Sequence, residues 1–185
     1  MRMIRWLGVV VSLTLTPLHA QIPQPVSIPV PDHTQDTQVW CWAAVSQDLI
    51  EWLQGQAPDQ CVLVAAANGA NPDPCCQDNS VCMVTGGLQQ IQFLVARFGG
   101  HASAIAPPAN PMVLYQTLAT GHPIVLALQF TPYAGHVVVL RGMEWVVTPY
   151  GLQPVLYIND PESYFTQAVG FPQLLQYWRA AIVVY

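Results

Sequence analysis

Lysine is absent from this 185-residue chain, and the five arginines are Arg2 and Arg5 at the extreme N-terminus followed only by Arg97, Arg141 and Arg179. Charged residues make up 8% of the sequence and the formal net charge is −5. A chain so poor in cations cannot neutralise a phosphate backbone, which excludes nucleic acid as a partner class. Long apolar runs are also lacking beyond the N-terminus. The 52% hydrophobic content would suit a membrane protein, yet the apolar stretches after residue 20 are strand-length pieces, short of the roughly 20 residues a spanning helix needs. No internal repeat or low-complexity tract occurs.

What is present begins at the N-terminus. Arg2 and Arg5 precede the apolar run Trp6 to Leu15, and Leu18-His19-Ala20 supplies a small-residue cleavage site. That layout predicts a secretory signal peptide over residues 1–20. Its rival, an uncleaved anchor, would need about twice that apolar length. Export would make the mature chain Gln21 to Tyr185, secreted or periplasmic, with no stable membrane insertion. It then holds three arginines against ten acidic residues, a formal charge of −7. Its 165 residues suffice for one domain, 21–185, with a real core and are too few for two of ordinary size.

The five cysteines stand at 41, 61, 75, 76 and 82. An oxidising compartment predicts disulfides for most of them, and the odd count leaves one over. The last four fall within 22 residues that carry the turn signals Asn71-Pro-Asp-Pro74, as in a locally stapled loop. Neighbouring cysteines rarely bond each other, so the pairing is either 61–75 with 76–82 or 61–76 with 75–82. A zinc site is the rival use, but the spacings do not form two C-x-x-C knuckles. No metal and no organic cofactor is expected. Cys41 is the natural odd thiol.

Residues 21–34 carry four prolines and predict an extended lead-in across the surface. From Cys41 to Gln54 there is no Gly or Pro, apolar residues recur at 42, 45, 49, 52 and 53, and Gly55 follows as a stop, which predicts a helix with Cys41 near its N-terminus. Further helices are expected over Cys61–Asn68, over Leu88–Phe98 before Gly99-Gly100, and from the N-cap Asn110 with Pro111 to Gly121. After Gly121 come β-branched runs at 124–130, 136–141, 145–148 and 155–158, a meander signal. A last helix over Phe171–Trp178 and a closing strand at Ala181–Tyr185 complete the reading. Helices first and sheet afterwards predict an α+β fold.

A thiol nucleophile works as the thiolate, and the unpaired N–H groups and dipole of a helix N-terminus favour that anion. Cys41 meets this requirement by position. It also needs a base and a group to orient the base, both of which come from elsewhere in the chain. His136 opens the run Gly135-His-Val-Val-Val-Leu-Arg-Gly142, 95 residues on, and Asp160 stands in Tyr157-Ile-Asn-Asp-Pro161, 24 residues further. A meander would return Asp160 beside His136. Gln35, six residues before Cys41, has an amide able to donate to a developing oxyanion together with the Cys41 N–H. His33, His101 and His122 lack an orienting acid in a matching segment.

Three blocks, Gln35-Asp-Thr-Gln-Val-Trp-Cys-Trp-Ala-Ala44, Gly135 to Gly142 and Ile158-Asn-Asp-Pro161, resemble papain-like cysteine peptidases. The nearest branch comprises the bacteriocin-leader-processing peptidases and the secreted effector peptidases of plant pathogens, and the similarity runs in order through most of residues 30–165. It implies a papain-like fold with helices packed on an antiparallel sheet and a peptide or protein substrate. It also implies Cys41 as nucleophile, His136 as general base, Asp160 as orienting residue and Gln35 as oxyanion-hole donor. Papain-type members use Asn as the third residue, which keeps Asn159 beside Asp160 as a candidate. The Cys61–Cys82 cluster and the short chain depart from the pattern.

Each assignment has a structural alternative. Cys41 would then be a buried core cysteine between two tryptophans, His136 a satisfied core histidine, Asp160 a turn former before Pro161 and Gln35 a solvated loop residue. Trp40 and Trp42 read as core packing and cleft wall. Two other functions compete with peptide-bond hydrolysis: acyl transfer or deamidation by the same residues, as in phytochelatin-synthase relatives, and an inactive peptide-binding module.

Overall fold

The computed structural model describes residues 22–166 and 168–185; the signal peptide expected over 1–20 lies outside them. The uninterrupted helical spacing after Trp40 produces α1 (Cys41–Gln54), which Gly55 ends in the left-handed conformation, φ 77°. Trp42, Ala43, Ala44, Val45, Ser46, Asp48, Leu49 and Ile50 are all buried, more than one stripe of the helix. Such a helix is central rather than peripheral, and α1 packs against other helices on one side and the sheet on the other.

The flanking helices are α2 (Gln60–Ala67), α3 (Pro72–Gln77), α4 (Leu88–Arg97) and α5 (Pro111–Ala119). Asn110 caps α5 by accepting from the Val113 N–H at 3.1 Å, as its position before Pro111 predicts. The expected cysteine loop contains α3 and a 3₁₀ turn at Asn79–Cys82. Its disulfides are Cys61–Cys76 and Cys75–Cys82, the second of the two possible pairings, and Cys41 is free. Closing a loop of this length contributes about 3 kcal/mol in the chain-entropy account. The stapled segment is also tied to α1: the Trp40 and Trp42 indoles donate to the Cys82 and Val84 carbonyls, each at 3.2 Å.

The second half forms an antiparallel sheet. Its strands are β2 (Ile124–Thr131), β3 (Ala134–Thr148), β4 (Gly151–Asn159), β5 (Val169–Gly170) and β6 (Trp178–Val183), in the order β5-β4-β3-β2-β6, with the short β1 (Val26–Ser27) paired to β3. The α+β architecture is the expected one, with two differences in detail. The runs at 136–141 and 145–148 are one 15-residue strand, because Gly142 is not a turn. It admits β1: a Cβ on Gly142 would stand 2.8 Å from the Val26 carbonyl oxygen. The last helix, α6, stops at Leu175, and Trp178 opens β6, paired with Leu128 and 2% exposed. The Leu174/Trp178 spacing that reads as helical is overridden by completion of the sheet edge.

The proline-rich lead-in is laced across both halves. The Ile28 N–H donates to the Arg141 carbonyl, and the Asn159 amide donates to the Val30 and Pro31 carbonyls. Gln60 holds the Thr34 carbonyl and the Asp36 N–H. His33 does have an orienting acid, contrary to the sequence reading: its N–H and Nδ1 both meet Asp48 Oδ1 at 2.8 Å, and Nε2 lies 3.3 Å from Glu51. The partner sits on α1, at no recognisable spacing from the histidine. Burial pushes the Asp48 carboxyl up to about 9, against the opposing His33 N–H bond.

A carboxyl raised in this way favours the folded state below about pH 4, and that contribution is lost as pH rises toward 9. Asp48→Asn keeps the acceptor and has no proton to lose. It is expected to become more stable relative to the parent between pH 4 and pH 8, by on the order of 1–2 kcal/mol. Thermal melts across that range read this as a widening gap in Tm; a gap independent of pH contradicts it.

Candidate active site

The start of α1 opens onto a cleft of about 610 Å³ whose far wall is the N-terminal end of β3. Cys41 and His136 face each other across it, with Gln38, Thr85, Gly86, Phe130, Glu162 and Tyr164 among the lining residues. Gly86 lies flat on the Trp42 indole, where an added Cβ would be 2.6 Å from the ring carbons. Trp42 therefore supports the cleft wall from within the core, and neither Trp40 nor Trp42 lines the cleft itself.

Cys41 is the first residue of α1, half-buried, beneath N–H groups that no intrahelical carbonyl can satisfy. His136 is carried by β3 opposite Leu128 of β2, and the buried run Val137 to Leu140 anchors it in the core. Phe130 stacks on the imidazole at 6.1 Å and Tyr164 meets it edge-on at 5.7 Å, so the ring has little room to turn. Nε2 is 2.6 Å from Asp160 Oδ1. The other ring nitrogen, Nδ1, remains for the cleft and Cys41.

Asp160 follows β4 directly and is both turn former and histidine partner. Oδ1 also accepts from the Glu162 N–H and Oδ2 from the Phe165 N–H, each at 3.0 Å, and the Asp160 carbonyl accepts from Ser163, whose φ is +58°. Burial alone would raise the Asp160 carboxyl, but the hydrogen bonds from His136, Glu162 and Phe165 and the imidazole charge hold it below the ordinary carboxylate range. Burial likewise opposes protonation of His136, yet the bonds to Asp160 and Cys41 outweigh it and push the imidazole up to about 9. Protonated, the imidazole carries a proton on Nδ1 that it can donate into the cleft.

Asn159 is not brought to His136. Its Nδ2 holds the Val30 and Pro31 carbonyls and its Oδ1 accepts from Arg141 of β3 at 2.7 Å, so both ends of its amide are engaged by the lead-in and β3. Gln35 is not among the residues lining the cleft but is joined to one of them, Glu162; both protons of its amide are engaged, with the Thr37 carbonyl at 2.8 Å and Glu162 Oε1 at 3.0 Å. Glu162 was not singled out from the sequence. Its signal was weak, a lone acid two residues after Asp160, on a turn whose shape nothing local specifies.

Among the described residues no group of three or more His, Cys, Asp or Glu could hold a metal ion, and no helix is long and apolar enough to cross a membrane. Two of the solved structures that share this fold are named as peptidases. The peptidase domain of Streptococcus ComA, a bifunctional ABC transporter involved in quorum sensing, superposes with a TM-score of 0.59 at 13% identity, over 84% of this chain and 96% of that one. A putative C39-like peptidase from Bacillus anthracis gives 0.56 at 17% identity, over 88% and 98%. UfSP from C. elegans gives 0.52 at 12% identity, over 92% of this chain and 35% of that one. No curated protein sequence matches significantly. Identities this low establish a shared papain-like architecture and nothing finer. Kinship rests on sequence: the family profile described as papain-like cysteine protease AvrRpt2 matches residues 24–176, a span running from the lead-in through the cysteine helix, the histidine strand and the aspartate turn, and the chain belongs to that family.

Proposed function

We propose that this chain is an exported cysteine peptidase that hydrolyses peptide bonds with Cys41 as nucleophile, His136 as acid and base, and Asp160 as the residue that orients His136. The observation that carries the reading is the His136 Nε2–Asp160 contact of 2.6 Å, which leaves the opposite ring nitrogen toward a free cysteine at a helix N-terminus. The Cys41 thiolate adds to the carbonyl carbon, and the oxyanion that forms accepts from the Cys41 N–H and, once its amide is released, from Gln35. His136 passes its proton to the leaving amine as the C–N bond breaks, leaving a thioester on Cys41. Water, losing a proton to His136, then releases the acid and restores the thiol. Export is supported by the layout of residues 1–20 and by two disulfides of a kind that persists in oxidising compartments.

The test is alkylation of the oxidised protein by iodoacetamide near pH 6, followed by peptide mapping. Cys41 is expected to label at least about tenfold faster in the parent than in His136→Ala, because the imidazolium that favours the thiolate is gone. Equal, slow labelling in both proteins contradicts the reading and favours a binding module.

A further inference from the structure

Glu162 occupies the most consequential position in the cleft that the reaction does not itself require. Its Oε2 lies 3.8 Å from His136 Nδ1 and its Oε1 holds the Gln35 amide at 3.0 Å, while about a quarter of the side chain remains open to the cleft. The basic group beside it among the described residues is the His136 imidazole itself, 3.8 Å away, and no arginine pairs with it. Among the described residues every ion pair joins a carboxylate to a histidine. Arg141 is engaged with Asn159 and Ser27, and Arg179 with main-chain carbonyls. Beside it on the cleft wall stand two largely exposed phenol rings, Tyr164 at 64% and Tyr133 at 98%. Glu162, by hydrogen bonding first and charge second, raises the Tyr164 phenol above its usual range, and both side chains line the cleft.

The side of the cleft also follows. The leaving amine takes its proton from His136 Nδ1, so the residue just beyond the scissile bond departs past that nitrogen, where Glu162 stands. We infer that Glu162, flanked by Tyr164 and Tyr133, selects substrates with a cationic side chain, lysine or arginine, immediately after the scissile bond. A carboxylate with no arginine or lysine partner and bordered by aromatic faces suits such a group through both charge and cation–π attraction. Pairing with the substrate cation draws Glu162 from Gln35 and frees an amide proton for the oxyanion. Recognition and activation are thereby coupled, since a ligand shifts a resting arrangement by its preference for the alternative.

This inference rests on the peptidase reading, so its test does not depend on turnover alone. Cys41 is modified with methanethiosulfonates carrying a 2-aminoethyl, methyl or 2-sulfonatoethyl group, each forming a mixed disulfide with loss of methanesulfinate. The ratio of cationic to neutral labelling rates is expected to fall about fivefold in Glu162→Gln and to be kept in Glu162→Asp. In parallel, kcat/KM for peptides with Lys or Gln after the scissile bond is compared across the same proteins. Preference for Lys in the parent, lost in Glu162→Gln, supports the inference. An unchanged labelling ratio overturns it even if peptides are cleaved, whereas an altered ratio with no peptide cleaved by the parent overturns the peptidase reading and leaves the cation site standing.

Discussion

Cys41→Ala and His136→Ala are each expected to lower kcat by on the order of 10⁴-fold or more, and the double variant by little more than either alone. In the proposed mechanism the thiol and the imidazole act as one unit: without His136 the thiol is a weak nucleophile with no proton donor for the leaving amine, and without Cys41 the imidazole has nothing to activate. Residual activity in all three would come from the first-turn N–H groups of α1 and from binding in the cleft, which none of the changes removes. Folding is not the explanation for the loss in Cys41→Ala, because Cys41 is only half-buried and makes no disulfide. Single-turnover cleavage of a peptide mixture, with circular dichroism to confirm the fold, measures it. Full turnover by Cys41→Ala would refute the mechanism, and additive losses would mean that the two residues act in separate steps.

Much of this was legible in sequence order. The helix bearing Cys41 announces itself by an unbroken apolar spacing and a glycine stop, and Gly55 does end it, in the left-handed conformation. The strand bearing His136 and the turn bearing Asp160 were readable as a β-branched run and an Asn-Asp-Pro corner. What was not legible depends on contacts between distant segments. Gly142 looked like a turn because its role, admitting β1 against β3, belongs to a residue more than a hundred positions earlier. The choice between Asn159 and Asp160 needed the lead-in, which claims the asparagine amide through the Val30 and Pro31 carbonyls. His33 found its acid on α1, and Glu162 found Gln35 across a separation of 127 residues. Local patterning governs elements and helix ends, whereas the assignment of neighbouring polar residues to separate tasks is decided only when the sheet and the lead-in meet.

That division of tasks is what the second large effect tests. Asp160→Ala is expected to lower kcat/KM at neutral pH on the order of 10²-fold, because His136 loses both its orienting bond and the charge that stabilises its protonated form. The pH profile should move as well. His136 stands at about 9 in the parent against an ordinary value of 6.5, so the imidazolium, and the stability it contributes, is fully present below about pH 6.5 and lost as pH rises through 9. Once Asp160 is removed, the contact with Cys41 is left to support the charge against burial. The alkaline limb of activity should therefore fall from about 9 toward the ordinary histidine value, by on the order of one to two units. Asn159→Ala is the counterpart. It strands two lead-in carbonyls and the Arg141 donor, which costs about 1–3 kcal/mol of stability, and it should leave the alkaline limb where it was. An alkaline limb that shifts in Asn159→Ala but stays at about 9 in Asp160→Ala would transfer the orienting role to the asparagine.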